Sequence, residues 1–170
     1  DDHAVRPPRE ATRGVNVGVP GELAGLEKLQ QAHGKLPRAD IYRAAAKLAA
    51  DGFVISPHTH RTLRWQERWI VKGPLSSVQA PGGTLSSRGD RTKNAALAAT
   101  LEQLAVHGAD WLYGGELGQR VVDAARAAGG RMVLADLESY RAIDRAPLKT
   151  RWEGVDVYTL PPPSGGGLML

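Results

Sequence analysis

The chain has 170 residues, 42% of them hydrophobic and 24% charged, with a net charge of +4 and no cysteine. That length suits one domain burying roughly 70% of its unfolded surface, and the composition lies near ordinary globular values. The missing cysteines exclude disulfides, thiolate chemistry and cysteine-ligated zinc. No apolar run approaches the roughly 20 residues of a membrane-spanning helix. Aromatic residues make up 5% and Phe53 is the single phenylalanine, so alanine and leucine carry the core and favour closely packed helices. Arginines are scattered among acids. A nucleic-acid groove needs a concentrated basic face with aromatic platforms, and none stands out, so no nucleic-acid partner is expected.

The opening "DDHAVRPPRE" is polar and lacks the character of a secretory signal, so residues 1–16 read as an exposed arm. "VNVGVPG" (Val15–Gly21) alternates like a short strand, with Pro20 pre-organised for a helical turn. "ELAGLEKLQQAHG" places Leu23, Leu26 and Leu29 at three-residue steps and closes on Gly34. In "LPRADIYRAAAKLAADG", Ile41, Ala44, Ala45, Leu48 and Ala49 form one apolar face, and Gly52 closes the helix. Together these make a helical hairpin. Ser56 and Pro57 supply an N-cap and first helical residue for "SPHTHRTLRWQERW". A Gly-, Pro- and Ser-rich stretch, "VKGPLSSVQAPGGTLSSRGD", reads as a long loop.

A further helix is expected from Asn94 to His107, then another with Leu117, Val121 and Ala125 at four-residue spacing, and a short helical turn in "VLADLESY". Past Pro147 the pattern alternates. "LKTRWEGVDVYTL" reads as a β-hairpin turning at Glu153–Gly154, with Leu148, Thr150 and Trp152 sharing one face and Val155, Val157 and Thr159 sharing one on the returning strand. The expected fold class is therefore α+β, a mainly helical segment over residues 17–146 followed by a hairpin at 147–160. No internal repeat and no boundary between two domains stands out. The chain closes on "PPPSGGGLML", where the apolar Leu168–Leu170 reads as the opening of another buried element.

Several residue groups invite a chemical reading. His58 and His60 could pair on a metal, but residues two apart on a helix diverge, so a solvated helix start is the plainer reading and no metal site is expected. His33 and His107 each precede a capping glycine, where an imidazole can serve terminal carbonyls. "RGD" at Arg88–Asp90 matches an adhesion tripeptide, yet Asp90 is also placed to charge the start of the next helix. "GGTLSSRG" and "PSGGG" match neither the dinucleotide fingerprint nor the Walker spacing. Ser164 lacks the frame of a nucleophile elbow and has no recognisable base. Residue by residue, no self-sufficient active site emerges.

The blocks acquire meaning in order. "VGVPGELAGLEKLQQAHGKLPRADIYRAAAKLAADGFVIS", "GDRTKNAALAATLEQLAVHGADWLYGGELGQRVVDAARAAGG", "RMVLADLESYRA" and "PLKTRWEGVDVYTLPPPSGGG" resemble four successive stretches of the gamma-glutamyltransferase family. The structural signature is Pro161, Pro162, Pro163, Ser164, Gly165 and Gly166, where the family commonly has a second serine at the position of Gly165. The "RWQERWIVKGPLSSVQAPGG" stretch is poorly matched.

The resemblance implies an N-terminal-nucleophile hydrolase, an αββα sandwich made as a precursor that cleaves itself into large and small subunits. The new N-terminal threonine attacks a γ-glutamyl amide with its own α-amine as base, and no cofactor or metal is required. It implies a small-molecule γ-glutamyl substrate, a periplasmic or secreted location, and this chain as an internal part of the large subunit. The expected partners are the rest of that subunit and the small subunit carrying the threonine. No catalytic residue is assigned within the chain, and the family's carboxylate-gripping arginine is not carried onto Arg9 or Arg13. Rival readings are a cephalosporin or glutaryl acylase of the same superfamily, or a truncated helical protein that binds a partner.

Overall fold

The computed structural model describes residues 14–165. The polar arm up to residue 13, with Arg9 and Arg13, and the end from Gly166 to Leu170 lie outside the described residues. Nine α-helices and four strands are present among those described: α1 (Glu22–His33), α2 (Arg38–Asp51), β1 (Phe53–Val54), α3 (Pro57–Trp65), α4 (Glu67–Val71), α5 (Ser76–Gln79), β2 (Arg91–Thr92), α6 (Ala95–His107), α7 (Asp110–Tyr113), α8 (Glu116–Ala127), α9 (Leu134–Glu138), β3 (Leu148–Trp152) and β4 (Val155–Thr159). They gather into two compact units that divide between Tyr140 and Arg141.

In the larger unit, α2 and α6 form the most extensive helix pair. Alanine allows this: Ala46 on α2 and Ala98 and Ala105 on α6 are buried, together with Leu104. The helix start expected at Ser56 is realised, and the helix expected from Asn94 is capped by that residue's side chain. Ser56 Oγ accepts from the amide of Thr59 at 3.1 Å, and Asn94 Oδ1 accepts from Leu97 at 2.9 Å. Each satisfies an amide that the helix cannot.

Two apolar clusters anchor the remainder. Val122, Ala125, Met132 and Leu137 form one, with Val19, Tyr113, Val121 and Leu134 packed against it. Ile70, Ala80 and Leu85 form the other, backed by Leu63 and Val71. The buried side of α8 is Gly118, Val122 and Ala125, which keeps Ala125 of the expected stripe but replaces Leu117 and Val121 with their next neighbours. The cause is Gly118, where a Cβ would collide with the carbonyl oxygen of Leu112, so α7 crosses directly over it.

Two local expectations change, and one pairing that the sequence did not announce appears. Val15–Gly21 forms a turn and an irregular segment instead of a strand. Its backbone is tied to α8, with the Gly14 amide donating to Ala128 O at 2.9 Å. The long loop contains α5 and a 3-10 turn at Pro81–Gly83, because Ala80 and Leu85 are drawn into the second cluster. The "DGFV" segment pairs antiparallel with Arg91–Thr92, matching Phe53 to Thr92 and Val54 to Arg91. Gly52, with φ +79°, makes the turn into it.

The smaller unit holds the expected hairpin, with Leu148 opposite Thr159, Thr150 opposite Val157 and Trp152 opposite Val155. Glu153 (φ 46°) and Gly154 (φ 84°) make the reversal. Positive φ at both central residues is what a two-residue hairpin turn demands.

Candidate functional site

The most densely connected polar group is centred on Glu27 of α1. Its Oε1 accepts from the Tyr42 hydroxyl at 3.0 Å and from the Ala109 amide at 2.8 Å. Its Oε2 lies 3.6 Å from Arg38 Nη1, and the carboxylate side chain is only 12% exposed. One side chain thus ties α1, the start of α2 and the α6–α7 junction together. Gly108 completes the fit, since a Cβ there would strike the Arg38 guanidinium.

A second phenol works alongside. The Tyr113 hydroxyl donates to Pro20 O at 2.6 Å and accepts from the Ala24 amide at 3.2 Å, while its ring stacks on Tyr140 with centroids 5.6 Å apart. Burial, then the hydrogen bond to Glu27, pushes the Tyr42 phenol well above its ordinary range. Burial likewise raises Tyr113. Both stay protonated at neutral pH and serve as donors, so neither is a base. This constellation ties α1, α2 and the α6–α7 junction together.

Beside it, a groove of about 470 Å³ runs between α1 and α2, lined by Leu26, Leu29, Ile41 and the stem of Arg38 among others. Leu26, Leu29, Ile41 and Leu48 remain exposed, so the apolar stripes foreseen on both helices have little packed on them among the described residues. A second cavity of about 380 Å³ lies between α2 and α6, reaching Phe53, Gln79 and Leu97.

The histidines do not converge. His60 Nδ1 sits 3.1 Å from Ser86 O, His58 Nδ1 lies 3.3 Å from Arg61 Nη2, and His107 packs against Trp111 at 6.2 Å. No group of three potential metal ligands occurs among the described residues. Asp90 of the RGD tripeptide accepts from the Ser87 amide at 2.7 Å, closing its own loop.

In the smaller unit, Pro161–Gly165 forms a turn, with the Ser164 amide donating to Pro161 O at 3.2 Å and a cis peptide between Pro162 and Pro163. Gly166 lies outside the described residues. The Glu27 network, spanning 82 residues between acceptor and donor, has no contiguous signature in the sequence. The one hint is an acid in the middle of an otherwise leucine-marked helix.

The order of these elements has close parallels. The family model described as gamma-glutamyltranspeptidase matches residues 2–170. The chain belongs to the gamma-glutamyltranspeptidase family. Glutathione hydrolase 2 of Arabidopsis thaliana is 37% identical over 169 residues, covering 98% of this chain and 29% of that protein. An acylase ACY 1 proenzyme of Pseudomonas sp. (strain SE83) is 35% identical over 153 residues, covering 89% of this chain and 27% of its own length.

Among solved structures, gamma-glutamyltranspeptidase of Helicobacter pylori superposes with a TM-score of 0.83 at 27% identity, over 94% of this chain and 47% of that one. The chain therefore spans less than a third of these curated relatives and about half of the solved chain. Its fold is the α+β arrangement of that part of the N-terminal-nucleophile family, as the hairpin and helix order anticipated.

Proposed function

We propose that this chain is a large-subunit segment of a gamma-glutamyltransferase-like enzyme that cleaves and transfers γ-glutamyl groups from glutathione-type substrates. The observation that carries this reading is the alignment of 98% of the chain with a glutathione hydrolase. In the whole enzyme, a threonine outside this chain would attack the γ-carbonyl. Its α-amine would take the hydroxyl proton and return it to the leaving amine, and water or an acceptor amine would then release the acyl group.

The role of this segment is to hold position. Glu27, Tyr42 and Tyr113 lock its helices, and the exposed stripes of α1 and α2 offer apolar surface to the rest of the large subunit and to the small subunit. A two-stranded ribbon such as β3–β4 is marginal by itself, which supports pairing with further strands. A periplasmic or secreted setting accompanies this reading.

A cephalosporin- or glutaryl-acylase activity is the second reading, favoured by the acylase proenzyme at 35% identity. Intact-mass measurement and N-terminal sequencing of the protein from its native source test the first. A companion chain beginning with threonine, and turnover of a γ-glutamyl anilide by the complete protein, are expected. Turnover of a glutaryl amide with no γ-glutamyl activity would move the assignment to the acylase. Recovery of this chain alone as a monomer that melts cooperatively would instead favour a non-catalytic helical protein.

A further inference from the structure

The α3–α4 segment carries an unusual outer surface. The two helices are separated only at Gln66, whose φ of −105° and ψ of 6° bend the chain without reversing it. Leu63 and Ile70 turn inward onto the cluster with Ala80 and Leu85. His58, Arg61 and Trp65 recur at steps of three and four along α3, and Arg68 and Trp69 follow on α4 with Lys72 at its C-terminal end. All six are exposed. Trp65 is 89% and Trp69 49% accessible, and the Arg68 guanidinium sits 4.6 Å above the Trp69 ring.

The charge is concentrated as well. Residues 57–72 hold Arg61, Arg64, Arg68 and Lys72 against the single acid Glu67, giving +3 out of a chain total of +4. Two tryptophans placed outward by a helix that already buries its own apolar side need a reason.

We propose that this face is a docking surface for an anionic phospholipid bilayer, on which α3 and α4 lie flat. Indole rings prefer the boundary between headgroups and acyl chains, and basic side chains beside them meet lipid phosphates. Tryptophan and arginine also serve protein–protein contacts, but lysine is depleted there and this face carries no aliphatic side chain, so indoles flanked by both basic types favour a lipid surface. The cavities described above are lined by other residues.

Co-sedimentation of the full 170-residue chain with vesicles of phosphatidylcholine, with and without phosphatidylserine, tests this. Binding is expected to the anionic vesicles only and to weaken with added salt, since each basic group near such a surface is worth about a fivefold change in partitioning. Arg61→Gln with Arg68→Gln should lower the partition coefficient roughly thirtyfold on that basis. Trp65→Ser should lower it too and reduce quenching by brominated lipid, leaving the share that comes from Trp69. Circular dichroism checks that the helices persist, and Arg68→Gln with Lys72→Gln repeats the test if the first pair loses helicity. Equal binding to neutral vesicles, no binding, an unchanged Trp65→Ser variant, or preference for a single-stranded oligonucleotide or an acidic protein would overturn the proposal. None of these readouts depends on γ-glutamyl turnover.

Discussion

Replacing Glu27 with alanine is the sharpest test of how the larger unit is held together. The substitution removes the acceptor of two hydrogen bonds, from Tyr42 and Ala109, and the partner of Arg38. Ala109 is buried, at 7% exposure, so its amide would lose its acceptor without gaining water, at a cost of about 1 to 3 kcal/mol. The Tyr42 bond to a charged acceptor adds roughly 1 kcal/mol, because that hydroxyl can partly resolvate. Arg38 is 36% exposed, so its ion pair contributes little once solvent screening is counted.

The expected loss is therefore about 3 kcal/mol, or a fall in Tm of roughly 6 to 12 °C for a chain of this size. Urea and thermal unfolding followed by circular dichroism measure both. Glu27→Gln keeps an acceptor oxygen for Ala109 and should lose less than half as much. If Glu27→Ala unfolds within about 0.5 kcal/mol of the parent, as an ordinary surface substitution would, the network is decoration and α1 is held by its apolar contacts alone.

The Tyr42 phenol supplies a pH prediction. Its raised folded-state pKa means the folded form holds the proton more tightly, so this stabilisation is complete below the ordinary tyrosine value of about 10 and is lost as pH rises beyond it. Stability measured from pH 8 upward should slope downward above about pH 10, and Tyr42→Phe should flatten that slope. Gly118→Ala drives a methyl group into the Leu112 carbonyl and should cost about 1 to 3 kcal/mol by overpacking; a neutral result by chemical denaturation would mean that α7 shifts freely. Asn94→Ala deletes the cap of α6 and should cost about 1 kcal/mol, while Asn94→Asp retains an acceptor and should stay close to the parent.

Locally encoded features are readable in the sequence. Ser56–Pro57 and Asn94 mark helix starts because capping needs only a side chain three residues from its amide. Glu153–Gly154 fixes the hairpin because two consecutive positive φ angles leave few sequence choices, and the register follows from the turn. Val15–Gly21 misleads because alternation describes a strand only when a partner strand exists, and here Gly14 binds the end of α8 instead. The short α5 and the β1–β2 pair escape a sequence reading for a related reason. Segments of two to four residues carry no periodicity, and their conformation follows from contacts such as the apolar cluster of Ile70, Ala80 and Leu85 and the pairing of Phe53 with Thr92. The candidate site divides in the same way: the proline–serine–glycine signature is contiguous and stands out, whereas the Glu27 network joins residues 82 positions apart.

That long reach gives the molecule a built-in reporter. Most helical amides are shielded by the carbonyl four residues back, so their exchange with deuterium reports the unwinding of their own helix. The Ala109 amide is shielded instead by the side chain of Glu27. It becomes accessible when α1 lifts away, even while α6 and α8 stay wound. Its exchange rate, compared with that of Leu104 or Val122 deep in those helices, would separate the free energy of docking the N-terminal helix from that of unfolding the whole unit. One backbone proton would then time the assembly of α1 onto the rest of the larger unit.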